Sequence, residues 1–291
     1  MANSWFYILG WFPTVLAILG NTMVVLIILS RARLHILPNW FVLSLAVADF
    51  AVGLTCFPTF FLCGKLVLCE SNLGFDIAVL AIYSSVTNLC AMTVDRYIAI
   101  IKPLRYVTWM NSRRAAFLVA LAWSIPIALD LIPTLCTRLG KCNMQNKTLI
   151  FSKMVLLEIL PCLFLLIATI QIILTARRHW SQSARLRAQL RFNQVNLRQP
   201  REFSTARVIT TVVAVFLTCY CVELYSVIRF LVNSSTPTLE VVNVIVLLVV
   251  VNSAANPIAY ALFKRDIRRE LVALCSPYRC AALRHNEVNA A

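Results

Sequence analysis

Positions 38 to 63 read PNWFVLSLAVADFAVGLTCFPTFFLC, an apolar run with one charged side chain, Asp49. A helix needs about 20 such residues to cross the hydrocarbon core of a bilayer. Comparable runs recur at roughly 6-30, 73-101, 115-135, 150-176, 206-232 and 241-262, which makes seven spans. The composition agrees: of 291 residues 60% are hydrophobic and 13% charged, where a soluble domain carries charge on about a quarter. Mean hydropathy is +0.79. With 6 Gly and 11 Pro the chain is neither collagen-like nor of disordered composition. The fold class is therefore an all-α membrane protein, a seven-transmembrane helix bundle over 1-262 followed by a short segment, 263-291.

A net charge of +15, from 27 Lys and Arg against 12 Asp and Glu, fits nucleic acid, anionic lipid or membrane topology as its cause. Its distribution decides. Twenty-one of the 27 basic residues lie at 31-33, 96-114, 177-207 and 264-284, and six (Lys65, Arg138, Lys141, Lys147, Lys153, Arg229) in the alternate set. By the positive-inside rule the C-terminus is cytoplasmic, and an odd number of spans puts the N-terminus outside. The bilayer, not nucleic acid, is the expected partner of this charge. The sequons at Asn146 and Asn233 both fall in loops assigned outside, which makes them candidate glycosylation sites. No cleavable signal segment precedes the first span, so that span is expected to direct insertion.

Beyond the seventh span, Phe263, Ile267, Leu271 and Leu274 recur at helical spacing with basic residues between them. That pattern predicts a short amphipathic eighth helix on the inner leaflet. Cys275 and Cys280 follow it, either as palmitoylation sites or as free thiols.

An ionisable group at bilayer depth costs about 2.5–3.5 kcal/mol on insertion scales and usually has a task. Asp49 has no basic residue at its depth, which suggests a bound cation or an altered proton affinity. Asn21, Asn88, Asn252 and Asn256 are equally deep, and Asn21 and Asn88 read as interhelical hydrogen-bonding glue. His35, His179 and His285 all lie outside the spans, so no His-based dyad or zinc site forms at membrane depth and the chain is not expected to be an enzyme. A channel or transporter would show an internal repeat, paired broken helices or a charged pore ring, and none is found.

Six motifs in order, each in its own span, carry a family resemblance: Gly20-Asn21, Leu45-Ala46-Val47-Ala48-Asp49, Asp95-Arg96-Tyr97, Trp123, Pro161, and Asn256-Pro257-Ile258-Ala259-Tyr260. The chain resembles the rhodopsin-like (class A) G-protein-coupled receptors. The resemblance implies a plasma-membrane receptor that binds a small extracellular ligand in the outer half of the bundle and promotes nucleotide exchange on a heterotrimeric G protein. An atypical or constitutively active orphan receptor and a membrane transporter are the alternatives. No cofactor is implied beyond an allosteric sodium ion, and a second copy of the chain is a candidate partner. Arg96 would pair with Asp95 and, at rest, with Glu202, while Tyr97, Asn256, Pro257 and Tyr260 complete the switch. The sodium site maps onto Asp49, Ser85, Asn252, Ser253 and Asn256, oxygen ligands suited to a hard cation. The ligand pocket maps onto Ala78, Ile82, Glu158, Tyr220, Glu223 and Asn243, and the family disulfide onto Cys69 with Cys142, or with Cys136 as the alternative.

Ala78 stands where amine receptors hold an Asp, and Val250 where opsins hold their Schiff-base Lys, which argues against a retinal pigment. Asp76 is expected to face away from the pocket. Glu223 is expected to point into it and favour a cationic ligand, or else to pair with Arg229; Asp130 is likewise open to pairing with a Tyr such as Tyr83. Three positions depart from the family: Tyr220 and Val222 replace its Trp and Pro, and Thr169 replaces its Tyr. The Arg-rich segment 177-202 would meet anionic lipid or an acidic G-protein surface, or serve as topology charge alone.

Overall fold

The computed structural model describes residues 4–66, 73–141, 147–189, 201–233 and 237–275. It contains seven helices long and apolar enough to cross a membrane: Trp5–Ser30, Leu37–Cys63, Leu73–Ile101, Ser112–Arg138, Phe151–Arg178, Arg207–Phe230 and Leu239–Phe263. These coincide with the seven apolar runs to within a few residues, and no strand occurs among the described residues. The chain is a multi-pass membrane protein.

Lipid supplies no hydrophobic drive between helices, so close backbone approach and buried hydrogen bonds must hold them together. Small residues open the way for the first span. A Cβ on Gly10 would overlap the Phe57 ring, one on Gly53 would fall 3.1 Å from Ala17, and one on Gly20 3.0 Å from Pro257. The first span therefore lies tightly against the second and the seventh. The third is central and packs on the second, fourth, fifth and sixth.

Buried amides add polar links. Asn88 accepts from Ser44 at 2.6 Å, and Ser44 accepts from the Trp123 indole at 3.0 Å, which joins the second, third and fourth spans. Asn21 donates to the Ser253 carbonyl at 3.1 Å and joins the first span to the seventh. Both are the packing roles that their depth suggested.

The fourth and fifth spans each contain a π-helical turn, Ile127–Leu131 and Val155–Ile159, and each turn carries an acid, Asp130 and Glu158. An extra residue in a turn shifts the phase of everything beyond it, and such turns concentrate at functional sites. The sixth span lies within a longer helix, Arg201–Asn233, without an internal Pro. The seventh keeps Pro257 inside its helix.

At the end rich in basic residues, a short helix Pro103–Trp109 follows the third span. Lys264, with φ −90° and ψ 100°, breaks the seventh span from a terminal helix, Arg265–Cys275. Ile267 and Glu270 of that helix are buried, and Phe263 and Leu271 pack partly against the core. Glu270 is clamped by Arg31 at 3.3 Å and Arg33 at 2.7 Å, both from the connection between the first two spans.

Candidate functional site

At mid-depth, Asp49 is fully buried and accepts three hydrogen bonds: from Ser85 at 2.6 Å, Ser253 at 3.0 Å and Asn256 at 2.6 Å. These donors come from the third and seventh spans, so one carboxylate ties three helices. No basic side chain reaches it among the described residues. Asn252 and Asn256 each bury an Oδ1 with no hydrogen-bond partner. All five residues mapped for sodium are buried, and a cation would give these orphaned oxygens the partner that buried acceptors otherwise lack.

At the basic end, Arg96 Nε donates to Asp95 Oδ2 at 2.7 Å. Tyr106, on the Pro103–Trp109 helix, donates to Asp95 Oδ1 at 2.9 Å and accepts from Arg96 Nη2 at 3.4 Å. Burial and the neighbouring Asp95 push the Tyr106 hydroxyl up to about 12, so it stays a proton donor at neutral pH. Nothing in the sequence motif signalled Tyr106, because its contact depends on how the short helix folds back. Tyr97 donates to Gln171 on the fifth span at 2.5 Å. Tyr260 is fully buried and its hydroxyl has no partner. The side chain of Glu202 lies outside the described residues. Beside this network, burial and the adjacent Arg96 bring the Lys264 ammonium down to about 7.

At the opposite end the acids sort into compensated and uncompensated groups. Asp76 pairs with Arg138 at 2.7 Å, and Asp130 pairs with Lys153. Glu158 accepts from the Tyr83 hydroxyl at 2.7 Å through Oε1, while its Oε2 is buried without a partner. Glu223 is part-buried, forms no ion pair among the described residues, and also sequesters an unpartnered Oε2. Two expected pairings are therefore corrected. Tyr83 meets Glu158 rather than Asp130, because Lys153 takes Asp130. Glu223 does not pair with Arg229, whose guanidinium lies 5.9 Å from the Tyr225 ring centroid. Of the other pocket candidates, Ala78, Tyr220 and Asn243 are buried and Ile82 is half-buried. Tyr220 stacks on Phe216 with centroids 4.2 Å apart.

The family model described as "7 transmembrane receptor (rhodopsin family)" matches residues 20–260. The chain belongs to the rhodopsin family of seven-transmembrane receptors. It is similar to octopamine receptor beta-1R of Drosophila melanogaster, 29% identical over 90% of this chain and 59% of that receptor. It is 30% identical to trace amine-associated receptor 7d of Rattus norvegicus, over 88% of this chain and 78% of the relative. With adenosine receptor A2b of Mus musculus it shares 29% identity over 90% of this chain and 87% of the relative. The chain thus spans less than two thirds of the octopamine receptor's length. These relatives are receptors, and this rhodopsin-family chain is not an enzyme.

Cys63 and Cys136 are disulfide-bonded, whereas Cys69 and Cys142 lie outside the described residues. Asn146, Cys280 and the side chain of Cys275 also lie outside them, and Asn233 is exposed at the end of the sixth helix.

Proposed function

We propose that the protein is a plasma-membrane receptor that binds a small extracellular ligand at the Glu158 and Glu223 end of the bundle and promotes nucleotide exchange on a heterotrimeric G protein at the Arg96 end. The 21-to-6 distribution of basic residues supports a cytoplasmic C-terminus and an external N-terminus. The observation that carries the reading is the pair of polar assemblies on the third span, Ser85 with Asp49 at mid-depth and Asp95, Arg96 and Tyr106 at the basic end. One central helix thereby carries a polar assembly at mid-depth and another at the basic end. Release of Arg96 from Asp95 would open a groove for the G protein's C-terminal helix.

Relatives named for octopamine, trace amines and adenosine support a small polar ligand. Asp49, Ser85, Asn252, Ser253 and Asn256 would hold a sodium ion, which supplies positive charge beside a carboxylate that has none. The terminal helix Arg265–Cys275 would rest on the inner leaflet, with Cys275 and Cys280 as lipid-anchor sites and Asn146 and Asn233 as glycan sites.

A second reading, signalling without ligand, is favoured by one feature. The sixth helix has Tyr220 stacked on Phe216 and lacks an internal Pro, so it has no built-in kink to be straightened or swung. Nucleotide exchange by the full chain, with and without a ligand panel and with Arg96→Ala as control, tests both. Exchange that requires ligand selects the first reading, and exchange without ligand selects the second.

A further inference from the structure

Among the described residues six ionisable side chains, Asp130, Glu158, Glu223, Lys153, Tyr83 and Cys162, lie at the ligand end of the third, fourth, fifth and sixth spans. Lys153 takes Asp130 and stands 5.4 Å from the Tyr83 ring centroid. Tyr83 gives its hydroxyl proton to Glu158 Oε1 at 2.7 Å. Glu223 lies on the sixth span, which packs against the fifth, and the buried Cys162 lies one turn beyond Glu158. Among the described residues the one ion pair of these three carboxylates is that of Asp130 with Lys153. A charge buried without a partner is costly, and sites that keep such charges usually meet a complementary ligand.

We propose that Glu158 and Glu223 form a cation-binding centre that takes an organic ammonium between the fifth and sixth spans, a refinement that rests on the receptor reading above. The third span offers no acid here, since Ala78 is buried and apolar and Asp76 is occupied by Arg138. Glu158 is pre-positioned. It sits in the π-helical turn Val155–Ile159, and the Tyr83 hydroxyl fixes one oxygen while leaving Oε2 buried and free. Glu223 Oε2 is the second sequestered, unpartnered acceptor. Two carboxylate oxygens supply charge-assisted hydrogen bonds to an N–H donor.

The test uses the full chain in lipid nanodiscs. Its melting temperature is measured against 2-phenylethylamine, 1,4-diaminobutane and tetramethylammonium, with 2-phenylethanol and adenosine as uncharged probes. At least one ammonium probe is expected to stabilise the protein where 2-phenylethanol does not. Glu223→Gln and Glu158→Gln each weaken that binding tenfold or more, and Glu223→Asp retains most of it, which separates lost charge from a folding defect. No stabilisation by any ammonium, or binding unchanged in both Gln variants, overturns the proposal. Nucleotide exchange measured in parallel keeps the two readings apart. Exchange raised by adenosine with no ammonium binding removes the cation centre and leaves the receptor, whereas ammonium binding with no exchange on any G-protein class removes the receptor reading alone.

Discussion

Asn256 donates a 2.6 Å hydrogen bond to Asp49, and through it the seventh span is held to the second at the middle of the bundle. Ser85 and Ser253 hold the same carboxylate from two more directions. This assembly makes the cation prediction concrete. Replacing potassium chloride by sodium chloride is expected to raise the melting temperature of the wild-type protein, since an ion at about ten times its dissociation constant stabilises by about 1.4 kcal/mol. Asp49→Asn is expected to erase that difference. A sodium response that survives the substitution would show that the ion acts elsewhere.

Glu270 predicts an asymmetry. Its side chain is only 4% exposed, whereas Arg31 and Arg33 are 46% and 64% exposed. Removing both arginines leaves a buried carboxylate unpaired, a loss on the order of 3 kcal/mol. Glu270→Gln leaves two arginines that water can solvate, so it should cost no more than about 1 kcal/mol. Thermal unfolding of the double Arg→Ala variant beside Glu270→Gln checks the order, and equal losses would mean that the clamp is a surface contact.

Gly10 on the first span leaves no room for a side chain against Phe57 on the second. A methyl group there would overlap the Phe57 ring, and that ring is itself packed edge-on against Phe6 and Trp11. Gly10→Ala is expected to destabilise by about 1–3 kcal/mol. Gly10→Ala combined with Phe57→Leu, which removes the obstructing ring edge, should cost less than the sum of the two single changes.

The half-buried Lys264 offers a pH signature. Its ammonium falls from 10.5 to about 7 through burial and then Arg96, opposed by Asp266 and Asp95. Because the unfolded chain holds this proton more tightly, the penalty is full below pH 7 and is relieved as pH rises toward the unfolded value. Stability should therefore climb between pH 7 and about pH 10, and Lys264→Met should flatten that climb. A slope identical in the two proteins would assign it to other groups.

The seven spans were legible because hydrocarbon thickness sets a length that composition must satisfy, and Asp49 was legible because a lone carboxylate in such a run is expensive. Pairings at the ligand end were not. Lys153 reaching Asp130, and Tyr83 reaching Glu158, both depend on π-helical turns that alter the phase of the fourth and fifth spans, and sequence spacing assumes a constant phase. Tyr106 escaped notice for a related reason, since only the folded-back Pro103–Trp109 helix brings it to Asp95. Charge identity was readable from the chain, whereas which charge meets which was set by helix rotation.

If the Arg96 end couples to a G protein as proposed, the full chain drives nucleotide exchange there. The direct measurement is nucleotide uptake by each heterotrimeric G-protein class in the presence of the purified full chain, wild type and Arg96→Ala, in lipid nanodiscs. Uptake above that of the G protein alone is expected for at least one class, with or without added ammonium ligand, together with its loss in Arg96→Ala at unchanged melting temperature. Uptake equal in the two proteins, or absent for every class with the wild-type chain folded, would contradict it.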